Sequence, residues 1–261
     1  QLYEKKMVTY PRTDARVLST AVAKEIYKNI RGLKNFGKLA DFASEVLENK
    51  SFQTITKSRY VNDKQITDHY AIIPTGQGFQ ALNGVNPTAR LVYEIIARRF
   101  LGIFYPAAVY EKVSLVTERR EERFFCSFKV LKEEGFRKVM QYSFAKKKDA
   151  DNDSGKDDAE KESTNKSGVE NEAEEVKCDE GFLKILSGLK KGDELPLNGF
   201  EIKEGETQPP KRYNSGSMIL AMENAGQFIE DEELRAQIKG SGIGTSATRA
   251  GILTKLVNNK C

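Results

Sequence analysis

The chain has no tryptophan, one histidine and three cysteines, and no apolar run approaches the ~20 residues that a membrane span requires. The cysteines stand far apart at 126, 178 and 261 with no C-x-x-C pair, which excludes a disulfide framework and a zinc site. The start, Gln1-Leu2-Tyr3-Glu4, has neither the basic nor the apolar region of a secretory signal. These absences predict an unsecreted protein of a reducing cytosol, with no membrane partner. No repeat of fixed period is visible. The chain begins without methionine and stops directly after a helical pattern, so it reads as a piece of a longer protein. What is present excludes wholesale disorder: 39% apolar residues plus 20 glycines over 261 positions suit one large or two modest globular domains.

Charge is segregated. Residues 146–180 hold 13 acidic residues against 7 lysines and no Leu, Ile or aromatic residue, so the remainder is more basic than the formal net charge of +4 indicates. Such a window cannot bury enough apolar area to offset chain entropy and is expected to be a disordered acidic insert. A calcium loop from Asp149 to Glu160 is disfavoured because Ser154 stands where the turn needs glycine.

Apolar spacings of three and four predict helices over 16–30, with Asp14 as its cap, over 38–48, and over 87–100 with Pro87 in the first turn. After residue 106 the period falls to two, predicting antiparallel strands near 109–117, 124–130 and 136–142, continuing at 182–186, 194–196 and 200–203. Helical patterns return from 217 and over 247–257.

Three segments could carry chemistry. In Thr9-Tyr10-Pro11-Arg12-Thr13-Asp14, a guanidinium two residues from a phenol can favour the phenolate and fork onto a phosphate, and Asp14 can orient it. The same residues also suit an ordinary turn with a packed tyrosine and a surface ion pair, and local chemistry leaves both open. His69, in Asp68-His69-Tyr70-Ala71-Ile72-Ile73-Pro74-Thr75, suits either a structural or a catalytic role. The turn from Gly240 to Arg249, rich in glycine and hydroxyls, could present amides and hydroxyls to an anion at a helix start, or be a plain N-cap. Lys211-Arg212-Tyr213 pairs cations with an aromatic ring, as single-strand binding uses.

Leu2-Tyr3-Glu4, the Tyr10 and His69 segments, Phe104-Tyr105-Pro106, Pro209-Pro210-Lys211-Arg212-Tyr213 and Gly242 to Arg249 occur in one order. In that order and at about that spacing they resemble the type IA DNA topoisomerases, most nearly the bacterial topoisomerase III branch. The resemblance implies a multi-domain α+β fold: a helical, helix-turn-helix-like tyrosine domain over 1–104, a β-rich arch over 105–208 containing the insert, and the start of a helical single-strand-binding domain over 209–261. It implies that Tyr10 attacks a DNA phosphate to give a 5′-phosphotyrosine without ATP. Arg12 would neutralise that phosphate, Asp14 and His69 would share its cluster, and Glu4 would support the site. Thr13, Lys211, Arg212, Thr245, Ser246, Thr248 and Arg249 would contact DNA. Mg2+ would be held by a Toprim domain preceding Gln1.

The implied substrates are single-stranded DNA and negatively supercoiled or catenated duplexes, acted on in the bacterial cytoplasm at the nucleoid, with any helicase partner unidentified. The sequence departs from the family pattern at Ala15, at Asn214-Ser215-Gly216-Ser217 and at Ser246-Ala247, none of which is Tyr10, Arg12 or His69. The competing readings are a DNA-binding module without catalysis, a tyrosine transesterase of the recombinase kind, and an interaction protein.

Overall fold

A computed structural model describes residues 1–144, 174–175, 185–202, 204–207, 209–210, 212–238 and 242–259. The acidic window 146–180, with the Asp149–Glu160 stretch, lies outside them except for Glu174 and Glu175. The fold mixes helix and strand, and the chain divides into two compact units assembled from sequence-distant pieces. One comprises Gln1–Met7, Glu25–Ile55 and Ile73–Glu194; the other comprises Val8–Lys24, Thr56–Ile72 and Leu195–Cys261. Among the described residues no helix is long and apolar enough to cross a membrane.

The helix expected over 16–30 is instead two short helices, α1 (Thr20–Glu25) and α2 (Tyr27–Leu33). Periodicity overstated its start because residues 17 and 18 spend their backbone groups elsewhere: Val17 O accepts from Ala71 N at 2.9 Å, and Leu18 bridges in parallel to Val61. The cap is Ser19, whose hydroxyl accepts from Val22 N at 3.2 Å, and not Asp14.

The first unit is built on α2, α3 (Ala40–Glu48) and α4 (Pro87–Gly102). Asn86 caps α4 through Ala89 N at 2.7 Å, with Pro87 supplying the preset first turn. The apolar faces of these helices bury Ile30, Leu33, Ala43, Val46, Tyr93, Ala97 and Leu101. Glu94 and Arg98, one helical turn apart at 2.8 Å, are buried beside them and are fully engaged. Arg98 also donates to Val139 O at 2.8 Å, and Glu94 accepts from Ser143 N at 3.0 Å and lies 3.3 Å from Lys38 Nζ. Burial alone would raise the Glu94 carboxyl. The hydrogen bonds from the Ser143 hydroxyl and amide and from Arg98, with the charge of Lys38, outweigh it and bring the pKa down to about 2.

The sheet has the order β1-β2-β3. β1 (Val109–Arg119) and β2 (Glu122–Glu133) form the expected antiparallel hairpin. Its turn places Arg120 and Glu121 at φ +50° and +72°, the twist that two-residue hairpins favour. β3 (Glu174–Glu175) pairs with Phe128 and Lys129 in parallel. The strand expected over 136–142 is absent: Gly135–Lys138 is a 3-10 turn, and Phe136 N donates to Pro106 O at 2.9 Å instead of entering a ladder. Residues 185–188 are helical, and no strand forms among the described residues of 189–202, where Leu195, Leu197, Phe200 and Ile202 are exposed. The strand expected over 194–196 is therefore absent, as is any strand over the described parts of 182–186 and 200–203, while residues 182–184 and 203 lie outside the described residues.

The second unit contains α1, α5 (Ser215–Glu223), α6 (Glu232–Ile238) and α7 (Arg249–Asn258). Asn214 and Ser217 close a reciprocal capping box at the start of α5.

Candidate nucleic-acid cleavage site

Within the second unit, residues 8–20 lie against the 60–71 segment. Leu18 N donates to Tyr60 O at 2.8 Å and Leu18 O accepts from Asn62 N at 3.1 Å. The Asp63 carboxylate accepts from Thr20 N at 2.9 Å and from the Thr20 hydroxyl at 2.5 Å, and these bonds hold its pKa below the usual range. The chain ahead of this latch is stitched by side chains. The Thr9 hydroxyl donates to Ala71 O at 3.3 Å, and the Thr13 hydroxyl donates to His69 O at 2.9 Å.

The result is that two residues 59 positions apart meet: the Tyr10 and His69 rings stand with centroids 4.3 Å apart, tilted by 38°. Tyr10 is half-buried, while Arg12, Asp14 and His69 are exposed. The expected pairing of Asp14 with Arg12 does not form. Among the described residues the Arg12 guanidinium has no hydrogen-bond or ion-pair partner, and neither has the Asp14 carboxylate. The Tyr10 phenol and the His69 imidazole are adjacent, and the exposed guanidinium of Arg12 follows two residues after Tyr10; a ring N–H and a guanidinium are both donors suited to phosphodiester oxygens.

The remaining sequence-predicted residues are placed elsewhere. Glu4 falls in the first unit and is exposed. Lys211 lies outside the described residues, and Arg212 and Tyr213 are exposed. In the glycine-rich turn the hydroxyls are engaged at home: Thr245 N donates to the Thr248 hydroxyl at 2.8 Å, and the two hydroxyls lie 3.1 Å apart. Ser246 is half-buried. Arg249 is buried, donating to Ile243 O at 3.0 Å and Gly244 O at 3.2 Å, so it clasps the turn onto the start of α7. Gly242 (φ +59°) permits that turn to sit on the end of α5, since a Cβ there would lie 2.6 Å from the carbonyl oxygens of Met222 and Glu223.

Sequence reasoning missed the latch of Thr20 to Asp63 and the carrying role of Thr9 and Thr13. The latch spans 43 positions and leaves no local pattern. The two threonines flank Tyr10 in an irregular segment, and that flanking by hydroxyls was the available signal. Among the described residues no cluster of three or more His, Cys, Asp or Glu side chains could hold a metal ion. The described residues therefore do not fit the implied magnesium.

The family model described as DNA topoisomerase matches residues 1–260. The chain belongs to the DNA topoisomerase family. It is 32% identical over 263 residues to DNA topoisomerase 3 of Bacillus subtilis (strain 168), covering 99% of this chain and 32% of that protein. DNA topoisomerase 3 of Bacillus licheniformis is 32% identical over 262 residues, covering 99% and 31%. That of Bacillus cereus (strain ATCC 14579) is 29% identical over 268 residues, covering 99% and 32%. The type IA, topoisomerase III-like character read from the motifs stands with these relatives. This topoisomerase chain spans about a third of their length.

Proposed function

We propose that this chain carries the strand-cleaving tyrosine of a topoisomerase III-like enzyme and acts on single-stranded DNA. The observation that supports this best is the pairing of the Tyr10 and His69 rings, centroids 4.3 Å apart, with an exposed Arg12 two residues along the chain that has no protein partner among the described residues. In the reaction the Tyr10 oxygen forms a bond to phosphorus while the bond from phosphorus to the 3′ oxygen breaks. The phenol loses its proton and the departing 3′ oxygen gains one, leaving a 5′-phosphotyrosine and a 3′-hydroxyl. Bond energy is retained in the ester, so resealing needs no ATP. Arg12 supplies positive charge where the phosphoryl oxygens gain negative charge, the contribution such transfers depend on most. His69 donates a hydrogen bond to the same group, and Asp14 acts at its edge.

On this reading residues 1–104 bear the tyrosine, 105–208 contribute to the arch around the acidic insert, and 209–261 begin the single-strand-binding region. Lys211, Arg212, Thr245, Ser246 and Thr248 belong to the DNA-binding side, while Arg249 shapes the turn that carries the last three and Thr13 serves the tyrosine segment. Relaxation of negative supercoils and decatenation are the activities of the whole enzyme. Magnesium is assigned to the carboxylates of a Toprim domain. By itself the chain is expected to bind single-stranded DNA weakly and not to cut it.

The test mixes the chain with a separately expressed Toprim domain of a related enzyme, magnesium and a labelled single-stranded oligonucleotide, and looks for an adduct that resists denaturant. Adduct from the unaltered chain and none from Tyr10→Phe is the expected result. DNA binding that weakens with salt but yields no adduct would instead favour a binding module without catalysis.

A further inference from the structure

His69 is exposed, and so is Asp68 before it, so burial does not explain how the imidazole stays beside Tyr10. The backbone of the segment is held from the tyrosine side. Ala71 is fixed twice, its N–H donating to Val17 O at 2.9 Å and its carbonyl accepting from the Thr9 hydroxyl at 3.3 Å. His69 itself is fixed by the Thr13 hydroxyl, which donates to its carbonyl at 2.9 Å and accepts from Ala15 N at 3.1 Å. One hydroxyl thus does two things. It closes a local turn after Arg12, and it crosses 56 positions to the histidine.

We infer, resting on the catalytic reading above, that Thr13 is a positioning residue for the cleavage step: its hydroxyl couples the segment that bears Tyr10 to His69 so that phenol and imidazole keep one spacing. With its proton and a lone pair committed inside the protein, this hydroxyl is a poor donor to DNA. Valine at 13 keeps the β-branched shape and deletes both bonds, whereas serine keeps them.

His69 is the only histidine of the chain, which makes its ring a private spectroscopic probe. The ring of Tyr10 at 4.3 Å displaces the His69 Cε1–H resonance, and Tyr10→Leu marks where that resonance falls without it. In carbon-proton correlation spectra of the chain, Thr13→Val is expected to move the signal most of the way to the Tyr10→Leu position, and Thr13→Ser to leave it near its original place. An unmoved signal in Thr13→Val, or an equal displacement in Thr13→Ser, overturns the coupling.

In the complementation assay Thr13→Val should slow adduct formation by roughly ten- to a hundredfold, the scale of a reacting group misplaced by an ångström, with Thr13→Ser restoring it to within about twofold. A displaced signal with an unchanged adduct rate overturns the positioning role. Failure of the unaltered chain to form any adduct removes the catalytic reading, while the spectra still decide whether Thr13 holds His69.

Discussion

The Tyr93 hydroxyl is fully buried and has no hydrogen-bond partner among the described residues, while its ring stands edge-on to Phe36 at 5.4 Å and to Phe79 at 6.1 Å. Burial accordingly pushes the phenol above its ordinary value. A buried polar atom without a partner costs desolvation that the rings around it do not return. Tyr93→Phe keeps the ring contacts and should leave stability unchanged or raise it by about 1 kcal/mol in urea unfolding. A loss of more than about 1 kcal/mol would mean that the hydroxyl has a partner in solution. Residue by residue, the sequence exposed what depends on chemical type: Tyr10, Arg12 and His69 stood out by their side chains, and the structure brings the rings of Tyr10 and His69 together. It hid what depends on tertiary pairing. Arg249 looks like a DNA-facing cation and is a buried clasp, and Asp14 looks like a cap or an arginine partner and is neither.

At the scale of elements, α2 approaches the loop after Pro74 so closely that a side chain is excluded. Asn29 donates to Pro74 O at 2.8 Å, and a Cβ on Gly32 would lie 2.2 Å from Gly76 O. Gly76 in turn holds φ +76°. Gly32→Ala must therefore push backbone from backbone and is expected to cost about 3 kcal/mol, measured as a lowered unfolding midpoint. A variant as stable as the original would show that the helix can shift at no cost. Elements whose stability is local were legible: α3 and α4 from spacings of three and four, α4 also from Asn86-Pro87, and the hairpin from alternation. Those decided by partners were not. The periodic pattern of 16–30 divides where residues 17 and 18 join the 60–71 segment, and the strand formers of 136–142 turn because Pro106 O takes the Phe136 amide.

For the whole molecule, each compact unit gathers pieces separated by tens of residues, so neither can be completed by local contacts alone. That interleaving left no trace in composition or period. Within the first unit it converges on one carboxylate, Glu94, which joins α4 to Lys38 and to the 139–143 turn through Arg98 and Ser143. Its pKa falls from 4.5 to about 2 on folding, so the unfolded chain binds the proton more readily. The associated stability is complete above about pH 4.5 and is lost as pH falls through about 2, a span on the order of 3 kcal/mol. Asp63 and Glu45, also lowered on folding, act in the same direction but are exposed or only half-buried. Glu94→Gln should therefore be less stable at neutral pH, because Arg98 and Lys38 lose their counter-charge, and should also lose less stability between pH 5 and 2 than the unaltered chain. Denaturant unfolding at several pH values measures both effects. Parallel acid limbs for the two proteins would mean that Glu94 does not control the acid response, and that other carboxylates carry the linkage.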